Sequence, residues 1–260
     1  MAVSDLFARF YTKVFIGLYA VESELHVGVM SLTSRGEVTT REHRFPDRLD
    51  ETFLSALQEY VSISPYNYIA IVSESEACGA LPTCSLSKAK EMAPIVDRSK
   101  TICIDEEWMN YCGEEVLFAL QERFGALEPD AIYSPFALLH AGFETEMAGG
   151  HTLYLLLTPG GMSLAVVKES HLRFAEQFPS ALQSVAQKVE KITSVLEGYY
   201  GKPCCRGEFI ESVRIADGTG NGEPLASALE ETLLVEAYVR RVDTALLCAQ
   251  TCMKEHGYAL

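Results

Sequence analysis

Residues 154–174, YLLLTPGGMSLAVVKESHLRF, decide the fold. An apolar run over 152–158 meets Thr158-Pro159-Gly160-Gly161, and a second apolar run covers 162–168. A short turn at Lys168 to Ser170 leads into a third run, 171–178. Apolar runs of this length broken by Gly and Pro read as strands joined by tight turns, so the segment is a three-stranded meander. Beyond it, Leu182, Val185, Val189, Ile192 and Leu196 recur every three or four residues and predict a helix over 180–200. A strand at 209–215, the loop ADGTGNGE and a helix at 224–234 follow.

The same order opens the chain. Residues 14–21 read as a strand buried on both sides, 24–32 alternate, and 37–45 follow the turn Ser34-Arg35-Gly36-Glu37. A helix at 50–61 and a strand at 67–73 complete the pattern, so β-β-β-α-β occurs twice. Between the repeats, Pro82 and Pro94 bracket a short helix, 100–104 is a strand, 107–124 a helix tolerating Gly113, and 130–133 a strand end. Ser134 and Pro135 fit the cap and first position of the next helix. Ahead of the first strand, Leu6, Phe7 and Phe10 could share one helical face. The best boundary is Glu144–Gly150. It sets an N-terminal lobe at 1–146, with its first hairpin at 13–31 and a variable insert at about 78–100. A C-terminal lobe at 147–260 then holds the second hairpin, 152–168, and the C-terminal helix.

A net charge of −15 over 260 residues, with scattered basic residues, argues against nucleic acid, which needs clustered Lys and Arg. No segment reaches the roughly 20 apolar residues that span a bilayer, and the chain reads as soluble and cytoplasmic. The eight cysteines lack paired C-x-x-C motifs and read mostly as buried reduced thiols. Cys248 and Cys252 lie one helical turn apart, but no second pair with ligand spacing accompanies them. None of the six histidines sits beside a nucleophile arrangement, and His140, on an apolar helix, reads as a core or interface residue. Asp105, Glu106 and Glu107 read as the acidic first turn of a helix, with Trp108 and Met109 as its first apolar turn or as a partner anchor.

The segments EPDAIYSPFALLHAGF (128–143), TLYLLLTPGGMSLAVVKESHLRFAEQFP (152–179), SALQSVAQKVEKITSVLEGYYGKP (180–203) and VFIGLYAVESELHVGVM (14–30) resemble, in order, segments of the actin-like ATPase superfamily. The likeness is to its branch containing PilM of type IV pilus machines and the cytoplasmic domain of GspL from type II secretion. It implies an α/β, two-lobed actin-like (ribonuclease H-like) fold with duplicated β-β-β-α-β lobes and a reduced extra subdomain. In that superfamily each first hairpin carries a carboxylate and a glycine for nucleotide and Mg²⁺. Aligned on the resemblance, Tyr19 and Val21 stand at those places in the first hairpin, and Leu156 and Thr158 in the second.

Gly160 and Gly161 remain, and the loop IADGTGNG (215–222), kept flexible by Gly218, Gly220 and Gly222, matches the adenosine-side glycine loop. Gly160, Gly161, Gly218 and Gly220 would hold a nucleotide if any binding persists; no cofactor, metal or catalytic residue is expected. The resemblance therefore implies a pseudo-ATPase, a non-catalytic scaffold of a pilus or secretion inner-membrane platform. Its implied partners are the assembly ATPase and the cytoplasmic tail of a membrane protein, or a membrane continuation of its own, with a homodimer also open. It would sit in the cytoplasm, at the inner membrane through those partners. The alternative is a nucleotide-binding ATPase or switch with displaced catalytic residues, such as Asp217 or Glu22.

Overall fold

The computed structural model describes residues 11–147, 149–179, 184–202, 205 and 207–258. Expectations for Leu6, Phe7, Phe10 and Leu182 fall outside them. Two five-stranded sheets form, with the same topology. In the first, β1 (Lys13–Val21), β2 (Glu24–Leu32), β3 (Val38–Pro46), β4 (Tyr66–Val72) and β8 (Ala131–Tyr133) run in the order β3-β2-β1-β4-β8. The β1–β2 and β2–β3 pairs are antiparallel, and β1–β4 and β4–β8 parallel. In the second, β9 (His151–Thr158), β10 (Gly161–Lys168), β11 (His171–Pro179), β12 (Ser212–Asp217) and β13 (Glu236–Arg241) run β11-β10-β9-β12-β13 with the same alternation of directions. The duplication expected from the sequence is thus present strand for strand.

The described residues divide into two compact units, one from 11–73, 120–133 and 243–258, the other from 74–119 and 134–242. This differs from the division at 146/147, because the C-terminal helix packs on β1 and β2, while residues 78–81 pack on β11 and residues 135–143 on β9 and β10. The C-terminal stretch returns to the first unit, and the segment after β4 enters the second.

In the first unit, helix α1 (Glu51–Val61) starts at Asp50, whose carboxylate accepts from Phe53 N–H at 3.0 Å. Phe53, Leu57 and Tyr60 of this helix pack on Val14, Ile16 and Leu18 of β1 and on Val27 and Val29 of β2. Period-two alternation turns the other side of β1, including Gly17, to the C-terminal helix.

The second unit contains α2 (Leu86–Met92), the start of α3 (Glu114–Phe124), α4 (Pro135–Phe143), α5 (Val185–Tyr200) and α6 (Gly222–Leu233). Ser184 opens α5 with a reciprocal capping box to Gln187. Leu153, Leu155 and Leu157, all fully buried, meet Ile192, Leu196, Leu225 and Leu229 from α5 and α6. Each such leucine contributes about 2 kcal/mol by leaving water. Ser134 caps α4 through Ala137 N–H at 3.3 Å, with Pro135 at its first turn, as the sequence predicts.

The insert is larger than 78–100. A three-stranded antiparallel sheet, β5 (Cys78–Leu81), β6 (Ser99–Ile104) and β7 (Trp108–Gly113), in the order β5-β7-β6, occupies 78–113. The helix expected over 107–124 therefore begins at Glu114. Asp105 and Glu106 are not its first turn but the tip of the β6–β7 hairpin, in left-handed conformation at φ 50° and 61°. Cysteines 78 and 112, in register across β5 and β7, are disulfide-paired, and so are Cys84 and Cys103, which corrects the reading of these four as reduced thiols.

α7 (Thr244–Glu255), begun by Asp243 accepting from Leu246 N–H at 2.8 Å, belongs to the first unit and not to the second lobe. Its Cys248, Cys252 and Met253 are fully buried. No helix among the described residues is long and apolar enough to cross a membrane.

Candidate functional site

In α/β sheets ligands collect beyond the carboxyl ends of parallel strands. In the second unit those ends are Thr158 of β9 and Asp217 of β12, whose strands pair in parallel. The structure brings the two predicted glycine segments together there. Pro159 and Gly160 make the turn between β9 and β10, closed by the Thr158–Gly161 pair. Gly218 N–H donates to Leu157 O at 2.8 Å, which lays the 217–222 loop beside that hairpin.

The loop folds on its own carboxylate. Asp217, 3% exposed, accepts through Oδ1 from Thr219 N–H (2.9 Å), the Thr219 hydroxyl (2.9 Å) and Gly220 N–H (3.0 Å). Through Oδ2 it accepts from Gly222 N–H at 2.8 Å. Gly222 opens α6, and the N-cap residue Asn221 offers that helix no side-chain cap, so Asp217 supplies the anion its first amide needs. Burial would raise the Asp217 carboxyl, but the amides of Thr219 and Gly222, with the Thr219 hydroxyl, outweigh it and hold it below the usual carboxylate range. Converging amides at a helix start are an anion-binding nest. Here the nest is filled by the chain itself.

Two glycines are required in this loop. Gly220 sits at φ +81°. A Cβ on Gly222 would lie 2.8 Å from Asp217 Oδ2 and 2.7 Å from Val239 Cγ1. The sequence marks Gly222, with Gly218 and Gly220, as a glycine that keeps the loop flexible, but not as the amide that meets Asp217, although Asp-Gly-Thr-Gly is a pattern in which an Asp side chain bonds the amides ahead of it.

The second hairpin is likewise occupied. Thr158 Oγ1 accepts from Gly161 N–H at 3.1 Å, and its hydroxyl donates a hydrogen bond to the Glu74 carboxylate. Glu74 follows β4 in sequence, and its carbonyl accepts from Gln177 Nε2 at 2.8 Å. Sequence reasoning missed Glu74, which lies 84 residues from its threonine. Leu156, where the resemblance expects a carboxylate, is fully buried. In the first unit Tyr19 is also buried, set edge-on to His26 at 6.0 Å, and Glu22 sits in the β1–β2 turn at φ 50°.

The remaining candidates fall elsewhere. Asp105 pairs with His140 Nε2 at 3.0 Å and Glu107 with His171 Nε2 at 2.9 Å. Trp108, fully buried in β7, stacks edge-on against His140 at 5.0 Å and donates to Ser170 O at 3.3 Å; it holds the small sheet from within and presents no free anchor. Met109 is buried in the small sheet's own core. Burial pushes the Cys252 thiol up to about 12 and Cys248 well above its ordinary value. Among the described residues no three His, Cys, Asp or Glu side chains converge as metal ligands.

Residues 10–140 match the model of a family described as a domain of unknown function, DUF8569. The chain belongs to the DUF8569 family. In this DUF8569 member, residues 179–257 match a second domain of unknown function, DUF8341. No curated protein matches the chain in sequence. A Bacteroides thetaiotaomicron protein of actin-like ATPase fold and unknown function is similar at 11% identity and TM-score 0.57, over 96% of this chain and 98% of that one. A chain of the PilM–PilN type IV pilus biogenesis complex is similar at 13% identity and TM-score 0.56, over 95% and 99%. With the duplicated sheet order, these place the DUF8569 chain in the actin-like ATPase fold.

Proposed function

We propose that this chain is a non-catalytic actin-like scaffold of a type IV pilus or type II secretion inner-membrane platform, close to PilM and the GspL cytoplasmic domain. The observation that carries the pseudo-ATPase reading is Asp217: its carboxylate takes the loop amides that a nucleotide would need. The buried Tyr19 and Leu156, where carboxylates would hold Mg²⁺, support it. The platform reading is supported by the likeness to a chain of the PilM–PilN complex.

A scaffold of this kind works by surface recognition. Its charge of −15 favours a basic partner segment and speeds encounter through steering. The partners are an assembly ATPase and the cytoplasmic tail of an inner-membrane protein, and the chain resides at the cytoplasmic face of that membrane.

The second reading is a nucleotide-binding switch with displaced catalytic residues. It draws on Glu74, a carboxylate set against the second hairpin. Calorimetric and thermal-shift titration with Mg-ATP and Mg-ADP separates the two, since a ligand of the native state raises its stability with saturation. The scaffold reading expects no shift at millimolar nucleotide. Micromolar affinity overturns it in favour of the switch.

A further inference from the structure

The three-stranded sheet carries four cysteines in two nested pairs, Cys84–Cys103 inside Cys78–Cys112. The two pairs differ in setting. Cys78 is buried and joins β5 to the central strand β7 in direct register. Cys103 is exposed on β6, the outer edge strand, and Cys84 is half-buried in the stretch leading to α2.

The sheet's own core is small. One cluster encloses Ala89, Val96 and Met109, with Leu81, Ala93 and Tyr111 packed beside them, while Trp108, Cys78 and Ala80 are buried outside that cluster. Ile102, Met92 and Leu86 are 58%, 53% and 49% exposed. With so small a cluster beneath it, segment 82–103 gains much from a covalent staple.

Its strands are not held equally. β7 is fixed from within by Trp108 to Ser170 and by the Ser134 hydroxyl donating to Asn110 Oδ1 at 2.8 Å. The hairpin tip is tied by the Asp105–His140 and Glu107–His171 pairs. Between Pro82 and Cys103 the covalent tie is the Cys84–Cys103 bond.

We propose that Cys84–Cys103 is a thiol-exchange site, and that its redox state sets the order of segment 82–103. A thiolate of a dithiol reductant attacks Sγ of Cys103, the more exposed residue of the pair; a mixed disulfide forms, and the Cys84 thiolate leaves and takes a proton. The reductant's second thiol then displaces Cys103 as its thiol. The net change is one protein disulfide reduced to two thiols and one dithiol oxidised to a disulfide. Opening this 19-residue separation restores chain entropy to the outer edge, while β7 stays anchored. In a reducing compartment such a pair acts as a sensor and not as a permanent staple.

Limited trypsinolysis of the full chain tests this, because Lys88, Lys90, Arg98 and Lys100 all lie exposed in the segment. The chain oxidised with diamide should yield a Cys84–Cys103-linked peptide. Dithiothreitol should then speed cleavage at those four sites about tenfold or more, leaving cleavage at Lys188 and Lys254 unchanged. The C84S/C103S variant should cut fast with or without reductant, and C78S/C112S should keep the slow oxidised rate. Absence of the linked peptide, or equal cleavage of oxidised and reduced chains, overturns the proposal.

Discussion

Gly17 and Gly28 face each other across the β1–β2 ladder, and the first turns of α7 rest on both. A Cβ on Gly17 would lie 2.0 Å from Ala245 O and 2.6 Å from Ala249 N; one on Gly28 would lie 2.3 Å from Leu246 N. The obstructing atoms are mostly helix backbone, which cannot turn aside as a side chain can.

Gly17→Val or Gly28→Val should therefore lift α7 off the sheet and cost about 3 kcal/mol or more. Gly36→Ala is the comparison, in the exposed β2–β3 turn where no atom lies within 4 Å of a Cβ. It should cost only the strain of its positive φ, about 1 kcal/mol. Urea midpoints at unchanged m-value give both numbers. Equal losses at the three positions would remove the glycine seat as an explanation.

Asp217→Ala leaves the amides of Thr219, Gly220 and Gly222 without their acceptor and should destabilise the chain by about 3 kcal/mol. Asp217→Asn keeps one acceptor oxygen and should lose about half as much. If the nest is an anion site filled from within, sulfate should raise the midpoint of Asp217→Ala more than that of the parent. A parent chain that responds to sulfate equally would contradict it.

Much of this architecture was legible in the sequence, and the exceptions have physical causes. The duplicated meanders could be read because each is a run of local apolar strands parted by Gly, Pro and Ser turns. The strand WMNYCG was read as helix because Trp108, Met109 and the apolar residues after Gly113 fit either period over so short a window. What makes it a strand is pairing with distant Cys78–Leu81 and with Ser99–Ile104. The seat of α7 left a trace that was not used: a glycine inside each of two buried strands marks close approach of another backbone. Glu74 left none, since its threonine partner is remote in sequence.

His151 and Asp217 make stability depend on pH in two separate windows. Burial holds the His151 ring neutral, with Nε2 3.0 Å from the Tyr199 hydroxyl, and lowers its pKa from 6.5. The unfolded chain then binds the extra proton, so stability is complete above about 6.5 and falls as pH drops below it. The slope reaches at most about 1.4 kcal/mol per pH unit. Asp217, also lowered from its ordinary 3.8, adds a second loss as pH falls below that value. His151→Gln should flatten the first window and leave the second, a pattern read from urea midpoints across pH 3 to 8. An unchanged slope near pH 6 would assign that window to another group.

Cys248 and Cys252 stand one turn apart on α7, the spacing that raised a metal in the sequence, but both thiols are fully buried and free. With the Cys252 pKa pushed up to about 12, first by burial, almost none of it is thiolate at pH 8. Iodoacetamide at that pH should therefore alkylate it about a thousandfold or more slowly than a free thiol, through rare openings of α7. Gly17→Val, by loosening the helix seat, should speed the reaction while leaving the rate at Cys205, in the other unit, unchanged. Fast labelling of Cys252 in the parent chain would mean that α7 is not held on the sheet in solution.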